Sequence, residues 1–154
     1  MRIGFIGAGK AGCSFGKFIT ENVRGEAGDA AVSISGYYSR TFRSAEFAAE
    51  LTGSRAFEHA VDLVSASDVI MLTVPDGAVA ETWQMIRDLE ETNGKTFCHM
   101  SGSLSSLVFG GSNFAPDGRG RCFCSLHPML ALADKELSWR KLDSAYFTFD
   151  GGDN

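Results

Sequence analysis

The sequence predicts an α/β fold of the doubly wound kind, a mainly parallel sheet with helices on both faces, and three observations lead there. Short apolar segments of strand character alternate with segments whose apolar residues recur at three- and four-residue steps. A glycine cluster, Gly7-Ala8-Gly9-Lys10-Ala11-Gly12, stands between the first strand and the first helix. The 154 residues, 44% hydrophobic and 21% charged, suffice for one domain with a real core and exclude disorder, collagen and coiled coil.

The elements follow in order. Arg2 to Ile6 reads as a short buried strand. After the glycines, Ala11, Phe15, Phe18, Ile19 and Val23 mark one helical face, with Arg24-Gly25 as its stop and Glu26 to Ala30 as a polar loop. Val32 to Tyr38 alternates as a strand does, completing a βαβ unit, and Ser39-Arg40-Thr41 leaves its end. Ser44 to Leu51 is helical, closed by Thr52-Gly53; Arg55 to Phe57 is a short strand; Glu58 to Ser65 is a short helix.

Asp68 to Val74 is almost continuously apolar, as a strand covered on both faces must be, and Pro75-Asp76-Gly77 breaks it. Val79, Trp83, Ile86 and Leu89 form the next helical stripe, with Asn93-Gly94 as its stop. Thr96 to Met100 is a fifth strand left by Ser101-Gly102-Ser103. Ser105 to Phe109 starts a helix, and Gly110 to Gly118 is loop. Arg121 to Leu126 is a strand ending in His127-Pro128; Tyr146 to Phe149 is the last strand, and Asp150 to Asn154 is a polar exit. This is the Rossmann arrangement over residues 1–154, in which ligands bind beyond the carboxyl ends of the strands.

Net charge is −5, and no Lys/Arg run has the density of a nucleic-acid footprint, so nucleic acid is not an expected partner. The charge is uneven: residues 1–43 hold six Lys/Arg against three carboxylates, a balance that suits a small anionic ligand or is a solvated face. Met1-Arg2 runs straight into the first strand without a signal sequence, and the strongest apolar run, Val69 to Val74, is too short to span a bilayer. A cytoplasmic location without a membrane partner is the expectation. Cys13, Cys98, Cys122 and Cys124 fit no paired metal spacing and read as buried small hydrophobes. No metal site is expected.

The glycine cluster carries the most chemistry. Gly7 permits the tight turn, Gly9 lets a pyrophosphate approach the backbone, and Gly12 lets the helix pack closely, while the helix N-terminus offers free amides and positive potential. Taken with the strand before it and the helix after it, Gly7, Ala8, Gly9, Lys10, Ala11 and Gly12 predict dinucleotide binding. The end of the second strand selects the dinucleotide. An NAD site places a carboxylate there for the ribose hydroxyls, whereas this chain has Ser39, Arg40 and Thr41, with Arg43 nearby, which suit the 2′-phosphate of NADP (NADPH). The plain alternative for Arg40 is a surface arginine.

Val74, Pro75 and Asp76 leave the fourth strand where the cofactor would lie, although Asp76 also reads as a helix N-cap. Ser101 and His127 leave the fifth and sixth strands toward the nicotinamide end. Reduction of a carbonyl or imine needs a proton donor beside the hydride acceptor, and His127 suits that task. Ser101 either bonds a substrate oxygen or caps the next segment. His99, inside its strand, reads as a core histidine, and His59 as a surface residue on a helix.

With those residues in view, a resemblance covers essentially the whole chain. Met1 to Gly12, Tyr38-Ser39-Arg40, Thr73-Val74-Pro75-Asp76, His99-Met100-Ser101-Gly102-Ser103-Leu104-Ser105-Ser106 and Ser125-Leu126-His127-Pro128-Met129 resemble the N-terminal domain of a bacterial family of Rossmann-like oxidoreductases. That family is similar to deazaflavin-dependent NADP oxidoreductases and pyrroline-5-carboxylate reductase, and more distantly to the 6-phosphogluconate dehydrogenase group. The resemblance implies NADP binding by Gly7, Gly9, Gly12, Ser39 and Arg40. A His-Pro-Met segment placed similarly in prephenate dehydrogenases supplies an active-site histidine, which implies such a role for His127.

The family pattern also implies a helical substrate and dimerisation domain after the Tyr146 to Phe149 strand, absent from this chain, and a homodimer for a full-length form. The expectation is an NADP-dependent oxidoreductase, a dehydrogenase or reductase acting on a small-molecule carbonyl or imine. The alternatives are a non-catalytic nucleotide-sensing module and a family enzyme that uses a deazaflavin as hydride donor.

Overall fold

The computed structural model describes residues 1–23, 32–110 and 116–151. Seven strands form one sheet in the order β3-β2-β1-β4-β5-β6-β7. They are β1 (Arg2–Ile6), β2 (Ser33–Tyr38), β3 (Arg55–Phe57), β4 (Val69–Leu72), β5 (Thr96–His99), β6 (Cys122–Pro128) and β7 (Phe147–Asp150). The first six run parallel and β7 is antiparallel to β6. Four α-helices, α1 (Lys10–Asn22), α2 (Phe42–Thr52), α3 (Ala60–Ala66) and α4 (Asp76–Ile86), cover the faces. The chain thus has a Rossmann-like fold, whose strand order reverses between β1 and β4.

Alternation along the strands divides the apolar residues between two cores. On one face Phe5, Cys13, Phe15, Tyr37, Ala45, Ala48, Met71 and Cys98 pack beneath α1 and α2. Phe5 and Tyr37 stack at 5.0 Å, and the buried Tyr37 hydroxyl donates to Gly12 O at 3.2 Å. On the other face Leu63, Val64, Ile70, Leu72, Val79, Trp83, Ile86 and Phe97 pack beneath α3 and α4. Trp83 sits among Phe97, Phe109 and Phe123 with ring centroids 4.9–5.4 Å away, and its indole N–H donates to Phe109 O at 2.7 Å. That bond ties α4 to the segment after β5, which carries part of the site described below.

Several boundaries differ from the sequence reading. The helix expected after Ser105 is a single 3-10 turn, Ser106–Phe109, closed by Gly110. The stripe from Val79 to Leu89 is helical only to Ile86, and a 3-10 turn, Glu90–Thr92, leads to Asn93-Gly94. β6 continues through Pro128, so His127 lies within the strand rather than beyond it, because Leu126 to Pro128 pair with β7. The crossover into β7 contains a 3-10 helix, Ser138–Ser144, packed on α1, an element the sequence reading lacks. His59 is exposed as expected but precedes α3 as its N-cap residue. The expected stop at Arg24-Gly25, the loop to Ala30, and Gly152 to Asn154 lie outside the described residues, as do residues 111–115 of the loop read from Gly110 to Gly118.

The cysteine reading needs correction at two positions. Cys13 and Cys98 are buried, but Cys122 is exposed and Cys124 only half-buried. Cys122 is the first residue of β6, opposite Thr96, at the amino end of the strand. Among the described residues no group of His, Cys, Asp or Glu is arranged to hold a metal ion, and no helix is long and apolar enough to cross a membrane.

Candidate functional site

The site is built at the carboxyl ends of β1, β2, β4, β5 and β6, starting from the glycine turn. Gly7 has φ +109°, open to glycine, and its N–H donates to Tyr38 O at 2.8 Å, which fixes the turn beside the end of β2. A side chain at Gly7 would meet Thr73 O at 2.7 Å. One at Gly12 would run into Gly7 O and stand 2.6 Å from Thr73 Oγ1. Thr73 holds the turn from the β4 side, its hydroxyl donating to Gly7 O at 2.7 Å. The protein itself therefore requires glycine at 7 and 12.

Gly9 is different. Among the described residues a Cβ there would have only Thr73 O near it, at 3.9 Å, and the backbone is extended at φ −83°, so none of them requires glycine. The position opens on the N-terminus of α1, which has no side-chain cap and no carboxylate in its first turn, but does have the exposed Lys10. The first-turn amides of Lys10, Ala11 and Gly12 are the donors a helix leaves without intrahelical partners. A cradle left open in front of bare amides fits a pyrophosphate.

Beyond β2, Ser39 is half-buried and Arg40, Thr41 and Arg43 are exposed; Thr41 precedes α2 as its N-cap residue. Arg40 and Arg43 have no hydrogen bond or ion pair among the described residues. No carboxylate stands at the end of β2, and the guanidinium groups are available to a phosphate. These features fit the 2′-phosphate of NADP.

The other half of the site forms around the turn from Met100 to Leu104. His127 Nδ1 lies 3.1 Å from Met100 O. A carbonyl only accepts, so Nδ1 carries the proton and Nε2 of the neutral ring is left as a base. Gly102 packs on that ring: a Cβ there would be 2.7 Å from Nε2. Ser101 Oγ accepts from Ser103 N at 3.1 Å and Leu104 N at 3.2 Å, and lies 3.2 Å from Ser103 Oγ. Ser103 Oγ donates to Asp76 Oδ2 at 2.7 Å.

Asp76 is the first residue of α4, after Pro75, so its carboxylate caps no helix and instead reaches across to the serine turn. The Ser103 bond, then Ser101 and the nearby His127 and His99, hold Asp76 below the usual carboxylate range. His99 is wholly buried, as expected of a core histidine. Its Nδ1 accepts from Ser101 N at 3.2 Å, and its Nε2 lacks a partner at bonding geometry among the described residues. Burial pushes His99 below its usual value, against the opposing pull of the Ser105 backbone and the carboxylates of Asp150 and Asp76.

The structure thus brings Gly7 to Gly12 against Val74 through Thr73, Ser39 against Gly7 through Tyr38, and Asp76 against Ser101 and His127 through the serine turn. Ser101 serves the turn as a cap. Three residues that shape the site are not among the candidates the sequence picks out: Thr73, Ser103 and Asp150. Asp150 Oδ2 accepts from Ser105 Oγ, Ser106 N and Ser106 Oγ at 2.7–3.0 Å and anchors the far end of the serine segment to β7. The available signal is the serine-rich run after His99, whose carboxylate partners lie 27 and 44 residues away.

The family model described as NADP oxidoreductase, coenzyme F420-dependent, matches residues 2–96. No curated protein matches the sequence. Among solved structures, an imine reductase from Myxococcus stipitatus in complex with NADP+ is 20% identical with a TM-score of 0.64, over 86% of this chain and 42% of that one. A pyrroline-5-carboxylate reductase from Coxiella burnetii is 13% identical with a TM-score of 0.63, over 85% and 45%. An imine reductase from Bacillus cereus is 16% identical with a TM-score of 0.62, over 86% and 42%. The chain spans less than half the length of each of these proteins, and the likeness is one of fold.

Proposed function

The chain belongs to the family of coenzyme F420-dependent NADP oxidoreductases, and from that membership we propose that it is the NADP-binding domain of an oxidoreductase that moves hydride between the nicotinamide and a small carbonyl or imine. NADP supplies the hydride-transferring ring when bound. In this reading the amides of Gly9 to Gly12 hold the pyrophosphate, Ser39, Arg40 and Thr41 hold the 2′-phosphate, and Val74, Pro75 and Asp76 line the ribose.

The proton task falls to His127. Its Nδ1–H is committed to Met100 O, so proton exchange runs through Nε2, beside Gly102. Ser101 and Ser103 hold the turn, and the Ser103 bond keeps Asp76 ionised beside the ring. The observation that carries the proposal is the open position at Gly9 in front of uncapped helix amides, since the fold itself gives no reason for glycine there.

A second reading has one observation in its favour: the family description names coenzyme F420, a deazaflavin. The hydride partner is then that deazaflavin in place of a small carbonyl or imine. One experiment serves both readings. The protein as its native reading frame encodes it is assayed for NADPH oxidation against small carbonyls, imines and a deazaflavin. Turnover is expected with one of these classes, and a loss of about 10²–10⁴-fold in His127→Asn. Unchanged turnover in variants at Asp76, Ser101 and His127 would remove the assignment of roles.

A further inference from the structure

Cys98 and Cys124 are 26 positions apart in sequence, and the sheet makes them neighbours: they are register partners on the adjacent parallel strands β5 and β6. Both point to the α1 face, where Cys98 is part of the core and Cys124 packs against it. Directly paired strands run about 4.7–4.9 Å apart, inside the roughly 4.4–6.8 Å window of Cα separations that a disulfide spans. From this pairing we infer that Cys98 and Cys124 form a redox-active thiol pair, a modification site whose product is a disulfide across β5 and β6.

The two thiols have unequal roles. Cys98 is buried, with its Sγ 3.6 Å from His99 O, whereas Cys124 is half-buried, with its Sγ 3.8 Å from Phe97 O, and is the more exposed of the two. The neighbouring sulfur raises the Cys98 thiol and lowers that of Cys124, so Cys124 is the one that ionises first. Cys13 is buried in the same core, with its thiol raised by burial, and lies on α1 and not on either strand of the pair. Cys122 is exposed on the same face of β6 but pairs with Thr96, so it has no thiol opposite.

With a hydroperoxide as oxidant the steps balance. The Cys124 thiolate attacks the peroxide oxygen, the O–O bond breaks, and Cys124 becomes a sulfenic acid while the leaving oxygen takes a proton to become water or an alcohol. Cys98 sulfur then attacks Sγ of Cys124; the S–S bond forms, the S–O bond breaks, and the hydroxyl leaves as water with the Cys98 proton. Two thiols are oxidised and one peroxide is reduced. The bond braces the two strands that carry His99 and His127, so the modification sits directly beneath the proposed site. The inference rests on strand register alone and stands or falls separately from the NADP reading.

The test uses the folded, reduced 154-residue chain and hydrogen peroxide near stoichiometry. The expected product is about 2 Da lighter, retains two of the four thiols, and yields a peptide cross-link between Cys98 and Cys124. Cys122→Ser leaves that product unchanged. Cys98→Ala stops at a sulfenic acid on Cys124 that a dimedone probe traps, which keeps the test open even if Cys124→Ser folds poorly. A cross-link through Cys122 or Cys13, oxidation confined to Cys122, or no reaction at Cys124 overturns the proposal.

Discussion

Replacing Gly9 by alanine separates what the fold needs from what a ligand needs. The new Cβ would have Thr73 O at 3.9 Å as its nearest neighbour, an ordinary van der Waals contact, on a backbone any residue adopts. Alanine in place of glycine at a helix N-cap costs at most about 1 kcal/mol, or about 2–4 °C in Tm for a chain of this size. The methyl would instead occupy the approach to the α1 amides. Loss of one charge-assisted hydrogen bond, about 1.5–3 kcal/mol, weakens NADPH binding by roughly 10–150-fold.

Gly12→Ala provides the contrast. Its Cβ runs into Gly7 O and lies 2.6 Å from Thr73 Oγ1, an overpacking worth about 1–3 kcal/mol, so it lowers Tm beyond the Gly9 variant. Thermal unfolding and titration of NADPH fluorescence measure both quantities. A Gly9→Ala protein that binds NADPH within about twofold of the parent, or that melts below Gly12→Ala, would refute the reasoning.

Three further outcomes are expected. Arg40→Ala weakens NADPH by roughly 10–150-fold, through the loss of a charge-assisted pair of about 1.5–3 kcal/mol, and leaves NADH nearly unchanged; parallel titrations of the two nucleotides check this. Thr73→Val leaves the buried Gly7 O without its 2.7 Å partner and costs about 1–3 kcal/mol, while Thr73→Ser restores most of it, as urea unfolding would show. His99 has a folded value below the usual 6.5, so the unfolded chain takes the proton first: its stabilising contribution is intact above about pH 6.5 and declines as pH falls below it. Asp76, Asp117 and Asp150, all held below 3.8, begin to lose theirs only below that value. Unfolding between pH 7.5 and 5 therefore carries the His99 contribution, and the slope in that window falls in His99→Asn.

Local features were legible in the sequence, and pairings across the sheet were not. Strand, glycine turn and helix from Arg2 to Asn22 are set by neighbouring residues and by apolar periodicity, and they appear where the pattern puts them. Arg40 could be picked out as a phosphate candidate because the residue type at the end of the second strand sets which ribose or phosphate chemistry is on offer. The extension of β6 to Pro128 depends on a β7 partner about twenty residues later, which no local pattern announces. The capping alternative for Asp76 arises because aspartate at a helix start is often a cap, whereas its oxygen goes to Ser103, which only the folded turn brings near. The cysteines read as buried hydrophobes from their type alone; the register of β5 and β6 pairs two of them and leaves Cys122 in solvent.

The central claim, that this is an NADP site at the carboxyl ends of the strands, is tested most directly by following backbone amide resonances of the 154-residue chain as NADP+ is added. The account predicts shifts concentrated at Gly7 to Gly12, Ser39 to Thr41 and Val74 to Asp76. Shifts concentrated instead at the opposite end of the sheet, around Gly94 and Gly120, or no saturable shifts at all, would contradict it.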